Sequence, residues 1–307
     1  MITISAPGKL MLMGEHAVVY GFPCIVTAVS ERLAVSIEET NDEKITIDAP
    51  QVKDTRFVDQ AIIDGCSAFG IVHHGLHIKT QSNFSNCYGF GSSSAVTVAT
   101  LEALAVTFHK QIDKKSLFEL AYKTVLAIQG VGSGFDVAAA TYGETLLYTK
   151  GGDTLEQLSW DLNNGVSLVV GYSGVKANTP EIVRDVASKK EAQPEKVNRI
   201  FEAIGKLVLQ AKEAGDKKDW ETVGKLMNFN QEYLRDLGVS TEKLESMIYA
   251  AKQAGAYGAK LSGAGGGDCM IALTLTQKKK DIEQAIASAG GIVVPVSIHT
   301  EGVRIDK

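Results

Sequence analysis

The sequence predicts an α+β protein of two domains, which we place at residues 1–165 and 166–307. Three observations support this fold class. Strand and helical patterns mix in the first half, helical patterns dominate the second half until two late strands, and the pattern changes near residue 165. With 307 residues, 45% of them hydrophobic and 22% charged, the chain can bury one large core or two modest ones.

In the first half, short alternating apolar patterns indicate strands, and apolar residues three or four positions apart indicate helices. These patterns predict strands at 2–5, 34–38, 44–48, 76–80 and 145–148. They also predict helices at 56–69, 93–108 and 115–128, and a helical segment at 137–141 that follows a glycine-rich turn.

The second half begins with an apolar strand at 166–171. Helical periodicity then predicts helices at 180–188, 194–214, 220–237 and 241–254. Strands at 269–273 and 291–296 flank a further helix around 280–289. The late strands give this helical half a sheet of its own.

Charge and composition exclude several functional classes. The formal net charge of -5 and the pI of about 5.7 provide no basic surface for nucleic acid. No apolar run reaches membrane length, and no charged leader precedes an apolar stretch, so we expect no membrane partner and a cytoplasmic location. Widely spaced cysteines without metal-ligand spacing are expected to be reduced thiols: Cys24, Cys66, Cys87 and Cys269.

A glycine- and serine-rich segment at 89–95, Gly-Phe-Gly-Ser-Ser-Ser-Ala, leads directly into an apolar helical pattern. We call it the phosphate loop. Small residues let backbone N–H groups approach a ligand, and the following helix offers unpaired N–H groups and the positive end of its dipole. The same composition also occurs in ordinary strand-to-helix turns, so the segment alone leaves both interpretations open.

Two further segments place unusual residues together. The final glycine motif, residues 260–268, reads Lys-Leu-Ser-Gly-Ala-Gly-Gly-Gly-Asp, and so many glycines weaken a fold unless the backbone must approach something closely. The opening motif, residues 6–21, carries Lys9, Glu15 and His16 among small and apolar residues. Taken singly, these three have structural explanations: a lysine at a strand end, a surface ion pair and a core histidine.

In this order, the opening motif, the phosphate loop and the final glycine motif resemble the three motifs of the GHMP small-molecule kinases. Within that superfamily they are most similar to the mevalonate kinases. The resemblance implies a two-domain GHMP kinase fold with the active site in the cleft between the domains. It also implies ATP and Mg²⁺, phosphorylation of mevalonate on its C5 hydroxyl to 5-phosphomevalonate, and a homodimer.

The resemblance also implies roles for individual residues. Asp136 and Lys9 match the catalytic pair: the aspartate takes or orients the hydroxyl proton, and the lysine stabilises negative charge. Ser93 matches the residue that meets the magnesium ion. Matches to substrate-binding positions are Glu15, His16, Thr179, Gly263 and Ala264. Matches to ATP-binding positions are Gly89, Phe90, Gly91, Ser92, Ser93, Ser94 and Ala95. A structural alternative for Asp136 is a helix N-cap, because a helical segment follows it.

Several positions depart from the mevalonate kinase pattern. Val125 stands where that pattern has a magnesium-binding glutamate, and valine cannot bind the ion. The stretch 129–140 and Asp268 resemble phosphomevalonate kinases instead, which keeps that activity as an alternative. His16 stands where phosphomevalonate kinases usually have tyrosine, and the opening motif lacks extra basic residues, which favours mevalonate. A non-catalytic binding protein of the same fold is the other alternative, although Lys9 and Asp136 argue against it.

Overall fold

A computed structural model describes residues 2–306 except 43, 53, 73, 74, 161 and 163. The first half contains, in order, β1 (Ile2–Met13), β2 (Cys24–Thr40), β3 (Ile45–Asp48), α1 (Arg56–Phe69), β4 (Gly75–Ser82), α2 (Ser92–Thr107), α3 (Lys114–Gln129), α4 (Phe135–Tyr142), β5 (Thr145–Tyr148) and β6 (Leu155–Leu158). The second half contains β7 (Val166–Tyr172), α5 (Thr179–Ala192), α6 (Pro194–Asp216), α7 (Trp220–Asp236), α8 (Glu242–Gln253), β8 (Gly258–Ser262), β9 (Cys269–Leu275), α9 (Lys279–Ser288), β10 (Ile292–Val294) and β11 (Arg304–Asp306). The mixture of strands and helices confirms the predicted fold class.

The first sheet has the strand order β11-β1-β2-β4-β3, and β5 and β6 extend it from β2. Its neighbours are antiparallel except for β3 and β4, which run parallel. Helix α2 packs against β1 and β2 and is apolar on nearly all sides, because α1, α3 and α4 surround it. This burial fixes the start of α2 beside the carboxyl-terminal half of β1.

The second sheet has the order β10-β7-β9-β8, with antiparallel pairing throughout. Helices α8 and α9 pack against it, and α7 packs along β8. The amphipathic helix α6 buries one stripe of apolar residues and pairs with α7. Of the helices in the described part of the chain, none is long and apolar enough to span a membrane.

The two sheets share apolar contacts, because the main core contains side chains from β1 and β2 as well as from β7, β9 and α7. The buried indoles of Trp160 and Trp220 meet edge to face, with ring centroids 5.6 Å apart. Tyr20, from a short 3-10 turn after β1, stacks on Phe201 of α6 at 4.6 Å. Strand β11 returns to the first sheet and pairs with residues 3–5 of β1. The division at residue 165 remains a prediction.

Candidate active site

Lys9 of β1 lies next to the phosphate loop. The register between β1 and β2 shifts between Pro7 and Lys9, and the extra residues of this irregularity lie in β2, opposite Gly8. A Cβ atom on Gly8 would lie 3.1 Å from the Phe90 carbonyl oxygen, so only glycine allows this approach without displacement. The Lys9 N–H then donates to the same carbonyl at 2.9 Å.

The phosphate loop ends at the start of helix α2, as the sequence predicts. Gly91 is the N-cap with φ 77°, a left-handed conformation that glycine adopts readily. The first hydrogen bond at this end runs from the Ala95 N–H to the Gly91 carbonyl at 3.0 Å. The N–H groups of residues 92–94 therefore have no carbonyl partner inside the helix, which is the arrangement that holds anions.

The side chains of the phosphate loop divide into two groups. Those of Phe90, Ser94 and Ala95 are buried in the core, so a ligand could reach these residues only through their backbone. Ser92 and Ser93 are half-buried. The hydroxyls of these two serines are therefore the ones available to a bound phosphate or cation.

Lys9 and Asp136 meet at Gly91. A Cβ atom on Gly91 would lie 3.2 Å from Lys9 Cε and 3.5 Å from Asp136 Cβ. Lys9 Nζ donates to the Gly89 carbonyl at 2.6 Å and lies 5.3 Å from the centre of the Phe135 ring. Among the described residues Lys9 forms no direct ion pair with Asp136, so both side chains retain capacity for a ligand between them.

Asp136 lies in the first turn of α4, whose N-cap is Gly134. The N-cap explanation of Asp136 is therefore wrong. The Asp136 carboxylate accepts a hydrogen bond from the N–H of Val137 at 3.0 Å, and a carboxylate is favourable at this end of a helix dipole. The helix thus presents an aspartate beside Lys9.

The charge state of Lys9 depends on opposing influences. Its side chain is 7% exposed, and this burial lowers the pKa of the ammonium. Asp136, then Asp268, Cys269 and Glu15, act in the opposite direction. Lys9 therefore depends on its acidic neighbours to remain a cation at the site.

Glu15 and His16 join the opening motif to the final glycine motif. Glu15 is 1% exposed and forms an ion pair with Lys260 of β8, which is itself fully buried. His16 hydrogen-bonds through Nε2 to the carbonyl of Ala264 at 2.9 Å. Burial lowers the pKa of His16 to about 4, so near neutral pH the ring is uncharged and Nε2 carries the proton that it donates. Both side chains are buried.

The other predicted substrate residues lie at the start of α5 and in the final glycine motif. Thr179 is the exposed first residue of α5, and Gly263 and Ala264 are half-buried in the final glycine motif. Gly267 of the same motif approaches the loop before α5, because a Cβ atom there would lie 2.6 Å from the Val175 carbonyl oxygen. The final glycine motif and the loop that leads into α5 are therefore in direct contact.

The surroundings of Ser93 define what could hold magnesium. Val125 is a core residue, 3% exposed. Gln129, one helical turn later, donates from Nε2 to Ser93 Oγ at 3.4 Å. In the part of the chain that the structure describes, no cluster of three or more histidine, cysteine, aspartate or glutamate side chains could enclose a metal ion. This donor set fits an ion that takes most ligands from phosphate and water, as Mg²⁺ does in nucleotide sites.

Sequence reasoning missed several residues of the site. Phe135, Gln129 and Lys260 contact the predicted residues, and Asp268 was noted only as a departure from the family pattern. The sequence did point to Lys260 and Asp268, because each is a charged residue at one end of the glycine-rich final motif. It did not point to Phe135 and Gln129, since exposed glutamine and apolar phenylalanine are ordinary residues at helix ends.

A wide groove lies elsewhere on the surface, between the start of α6 and the end of α7. It encloses about 690 Å³ and is lined by Pro194, Lys196, Arg199, Tyr233 and Asp236, among others. None of the glycine motifs reaches it. The predicted chemistry therefore belongs to the motif cluster rather than to this groove.

Comparison with known proteins agrees with the motifs. Residues 56–144 match the model for the GHMP kinase N-terminal domain, and residues 200–292 match the model for the GHMP kinase C-terminal domain. A mevalonate kinase of Pyrococcus furiosus is 35% identical, with 100% of this chain and 98% of the relative covered.

Solved structures show the same fold. A crystal structure of a mevalonate kinase superposes with a TM-score of 0.84 at 27% identity, covering 98% of this chain and 100% of the other. The L. major mevalonate kinase in complex with R-mevalonate gives a TM-score of 0.82 at 26% identity, covering 97% and 95%. Both domain matches and the full-length identity lead to one conclusion: the chain belongs to the GHMP kinase family.

Proposed function

We propose that the protein acts as a mevalonate kinase, transferring the γ-phosphoryl group of ATP to the C5 hydroxyl of (R)-mevalonate and releasing ADP and 5-phosphomevalonate. Membership of the GHMP kinases makes it an ATP-dependent kinase. The acceptor assignment rests on the 35% identity with a mevalonate kinase along the full chain. The meeting of Lys9 and Asp136 at Gly91, beside a helix N-terminus, supports the phosphoryl transfer.

The reaction follows from these side chains. Asp136 takes the proton of the C5 hydroxyl while the oxygen attacks the γ-phosphorus, and the bond to the bridging oxygen of ADP breaks. The Lys9 ammonium stabilises the negative charge that develops on the transferred group. Backbone N–H groups at the start of α2 bind the triphosphate and hold it in line with the acceptor.

Magnesium, when bound, neutralises charge on the phosphate oxygens. Ser93 Oγ is the protein group that we assign to it, and ATP phosphates, water and Asp136 would supply further oxygen ligands. A crystal structure with an ATP analogue and Mg²⁺ tests this assignment. A protein carboxylate other than Asp136 bonded directly to the ion would contradict it.

Phosphomevalonate kinase activity is the main alternative. Its acceptor carries about two more negative charges and needs additional cations. The chain carries Asp268 as phosphomevalonate kinases do, but His16 stands where they usually have tyrosine and the opening motif lacks extra basic residues, which favours mevalonate. A non-catalytic binding protein of the same fold is the second alternative.

A substrate panel separates these functions. The purified protein is given ATP, Mg²⁺ and, in separate assays, mevalonate, 5-phosphomevalonate, mevalonate 5-diphosphate or galactose, and ADP release is measured. We expect the highest kcat/KM with mevalonate. A preference for 5-phosphomevalonate would assign the alternative kinase activity, and no ADP release with any acceptor would favour a binding protein.

Asp136 is the predicted proton acceptor of the reaction. Asp136→Asn keeps the size of the side chain but removes the proton acceptor, so turnover should fall by well over tenfold while the affinity for an ATP analogue changes little. Asp185→Asn, an exposed carboxylate on α5, is the matched control. Activity of Asp136→Asn within about tenfold of wild type, about 1.4 kcal/mol of barrier, would reject the role as base.

We also infer a cytoplasmic location and a homodimer. The location is supported by the cysteines, all of which are free thiols where the structure describes them, as expected in a reducing compartment. The homodimer rests on the family resemblance. Sedimentation velocity of the purified protein tests it directly.

A further inference from the structure

Asp268 ends the final glycine motif in an unfavourable conformation and environment. Its φ is 52°, in the left-handed region, which is rare for a residue with a side chain. It is also only 9% exposed, although burial of a carboxylate is unfavourable without partners. Glycine, which fills the three preceding positions, would avoid both penalties. Strained conformations of this kind tend to occur at functional sites.

On one side, Asp268 fastens the loop of residues 173–178, which leads into α5. Its carboxylate accepts a hydrogen bond from the Ala177 N–H at 2.8 Å. Its own N–H donates to the Val175 carbonyl at 2.8 Å, and its carbonyl accepts from the Ser173 N–H at 2.9 Å. Thr179, the predicted substrate residue, follows this loop directly.

On the other side, Asp268 packs against the phosphate loop. A Cβ atom on Gly89 would lie 2.5 Å from Asp268 Oδ2 and 3.0 Å from Asp268 Cβ, so the carboxylate lies directly on the backbone of Gly89. The carbonyl of the same glycine accepts the hydrogen bond from Lys9 Nζ. One residue of the phosphate loop thus separates Asp268 from Lys9.

The charges around Asp268 are consistent with this arrangement. Burial raises its pKa, whereas the Ala177 N–H, Lys9 and Lys176 favour the ionised form. In return, Asp268 is one of the two acidic side chains with the largest effect on Lys9, the other being Asp136. Two carboxylates therefore influence the Lys9 ammonium, that of Asp136 near Gly91 and that of Asp268 against Gly89.

We propose that Asp268 is a positioning residue of the active site: it clamps the loop of residues 173–178 onto the phosphate loop and supplies the second negative charge beside Lys9. The inference deepens the proposed kinase function and rests on it. In this arrangement the hydrogen bond to Ala177 holds the loop that precedes Thr179, the predicted substrate residue, in position. The charge holds Lys9 as a cation where the phosphoryl group is transferred.

Two substitutions of Asp268 separate these roles. The introduced residues, asparagine and glycine, both tolerate a positive φ. Asp268→Asn keeps an oxygen that can accept from Ala177 but removes the charge. We expect kcat to fall by about tenfold or more, as for the loss of one electrostatic group in an active site, with little change in the KM of the acceptor. Asp268→Gly removes the charge and the side-chain acceptor for Ala177 without backbone strain, and it keeps the backbone hydrogen bonds to Ser173 and Val175. We expect it to lower kcat and also to raise the KM of the acceptor by about tenfold.

Amide hydrogen exchange gives a readout that needs no substrate. Exchange of residues 174–178 should accelerate in Asp268→Gly but not in Asp268→Asn, while protection elsewhere in both proteins equals that of the wild type. Asp281→Asn, an exposed carboxylate on α9, serves as control for both assays. The kinetic assays use whichever acceptor the wild type prefers. A wrong mevalonate assignment would therefore appear in the wild type itself, independently of the Asp268 variants.

The outcomes are decisive in either direction. Wild-type kcat and KM in Asp268→Gly would overturn the proposal, as would unchanged exchange of the loop. Loss of protection throughout that variant would show that Asp268 stabilises the fold generally, which also overturns it. A lowered kcat in Asp268→Asn together with local loop opening only in Asp268→Gly is the result that supports it.

Discussion

At the scale of single residues, the buried pair of Glu15 and Lys260 stands out, because each residue belongs to a different motif. A buried charge without its partner is strongly unfavourable, whereas a neutral replacement of both partners is often tolerated. The pair therefore holds the opening motif and β8 together only while both members are present.

A double-mutant cycle should show this dependence. Lys260→Met leaves the carboxylate of Glu15 buried alone, and we expect a loss of about 3–5 kcal/mol in the free energy of unfolding. Combining it with Glu15→Gln should recover more than half of that loss. Urea denaturation of the wild type and the three variants measures the coupling, and simple additivity of the single effects would contradict it.

His16 gives a prediction about pH. Its pKa is about 4 in the folded protein, against an ordinary value of 6.5, because burial disfavours the imidazolium. The unfolded chain therefore binds the proton first as the pH falls. Stability conferred by neutral His16 is complete above about pH 6.5 and declines between pH 6.5 and pH 4, by up to about 3 kcal/mol at 1.36 kcal/mol per unit.

The variant His16→Asn suits the test, since asparagine tolerates the positive φ of 60° at this position. We expect the wild type to lose stability relative to this variant as the pH is lowered from 7 to 5. Urea denaturation at several pH values gives the difference. A difference independent of pH would show that His16 does not titrate abnormally.

At the scale of elements, the start of α2 depends on Gly91. Gly91→Ala adds a methyl group 3.2 Å from Lys9 Cε at φ 77°, so it should displace Lys9 as well as strain the backbone by about 1–2 kcal/mol. Gly70→Ala at the end of α1 is a matched control, because its φ is 63° and nothing lies within 4 Å.

We expect similar losses of thermal stability in the Gly91→Ala and Gly70→Ala variants, but a fall of at least about tenfold in kcat/KM only for Gly91→Ala. Thermal denaturation and steady-state kinetics measure the two effects. Equal activity of the two variants would show that the approach of Lys9 to Gly91 is unimportant for catalysis.

The helices and strands also show which parts of the fold can be predicted from sequence patterns. Helices α1, α2, α3, α6, α7 and α8 begin and end within two residues of their predicted limits, because helical periodicity is a local property. Strands β6, β8 and β11 were not predicted. Strand β8 contains Lys260, which makes the segment look polar. The burial of Lys260 depends on its ion pair with Glu15, 245 positions away. Such distant partners are not visible in a local pattern.

The candidate site likewise combines features that the sequence predicts with contacts between distant residues that it does not. Motif order indicated Lys9, Asp136 and the phosphate loop as one site, and the structure brings them together at Gly91. The roles of these residues in catalysis remain predictions. The contacts of Asp268 could not be predicted from the sequence, since they depend on a hydrogen bond to a loop 91 positions earlier and on the position of Gly89.

At the scale of the molecule, the shared core predicts cooperative unfolding. Cys24 of β2 and Cys269 of β9 are buried in the same core but lie on different sheets. With Cys66 and Cys87 replaced by serine, pulse labelling by a thiol reagent in urea should expose both remaining cysteines at the same midpoint. Earlier labelling of one of them would show that the predicted domains, 1–165 and 166–307, unfold separately.

The pairing of β11 with β1 has a consequence for biosynthesis. Thr3 pairs with Asp306, about 300 positions later, and pairing between such distant segments must await closure of the whole intervening loop. The strand that carries Lys9 therefore acquires its outer neighbour only after nearly all of this sequence has left the ribosome. A nascent chain stalled before residue 304 would present an open β1 edge to chaperones and to other chains.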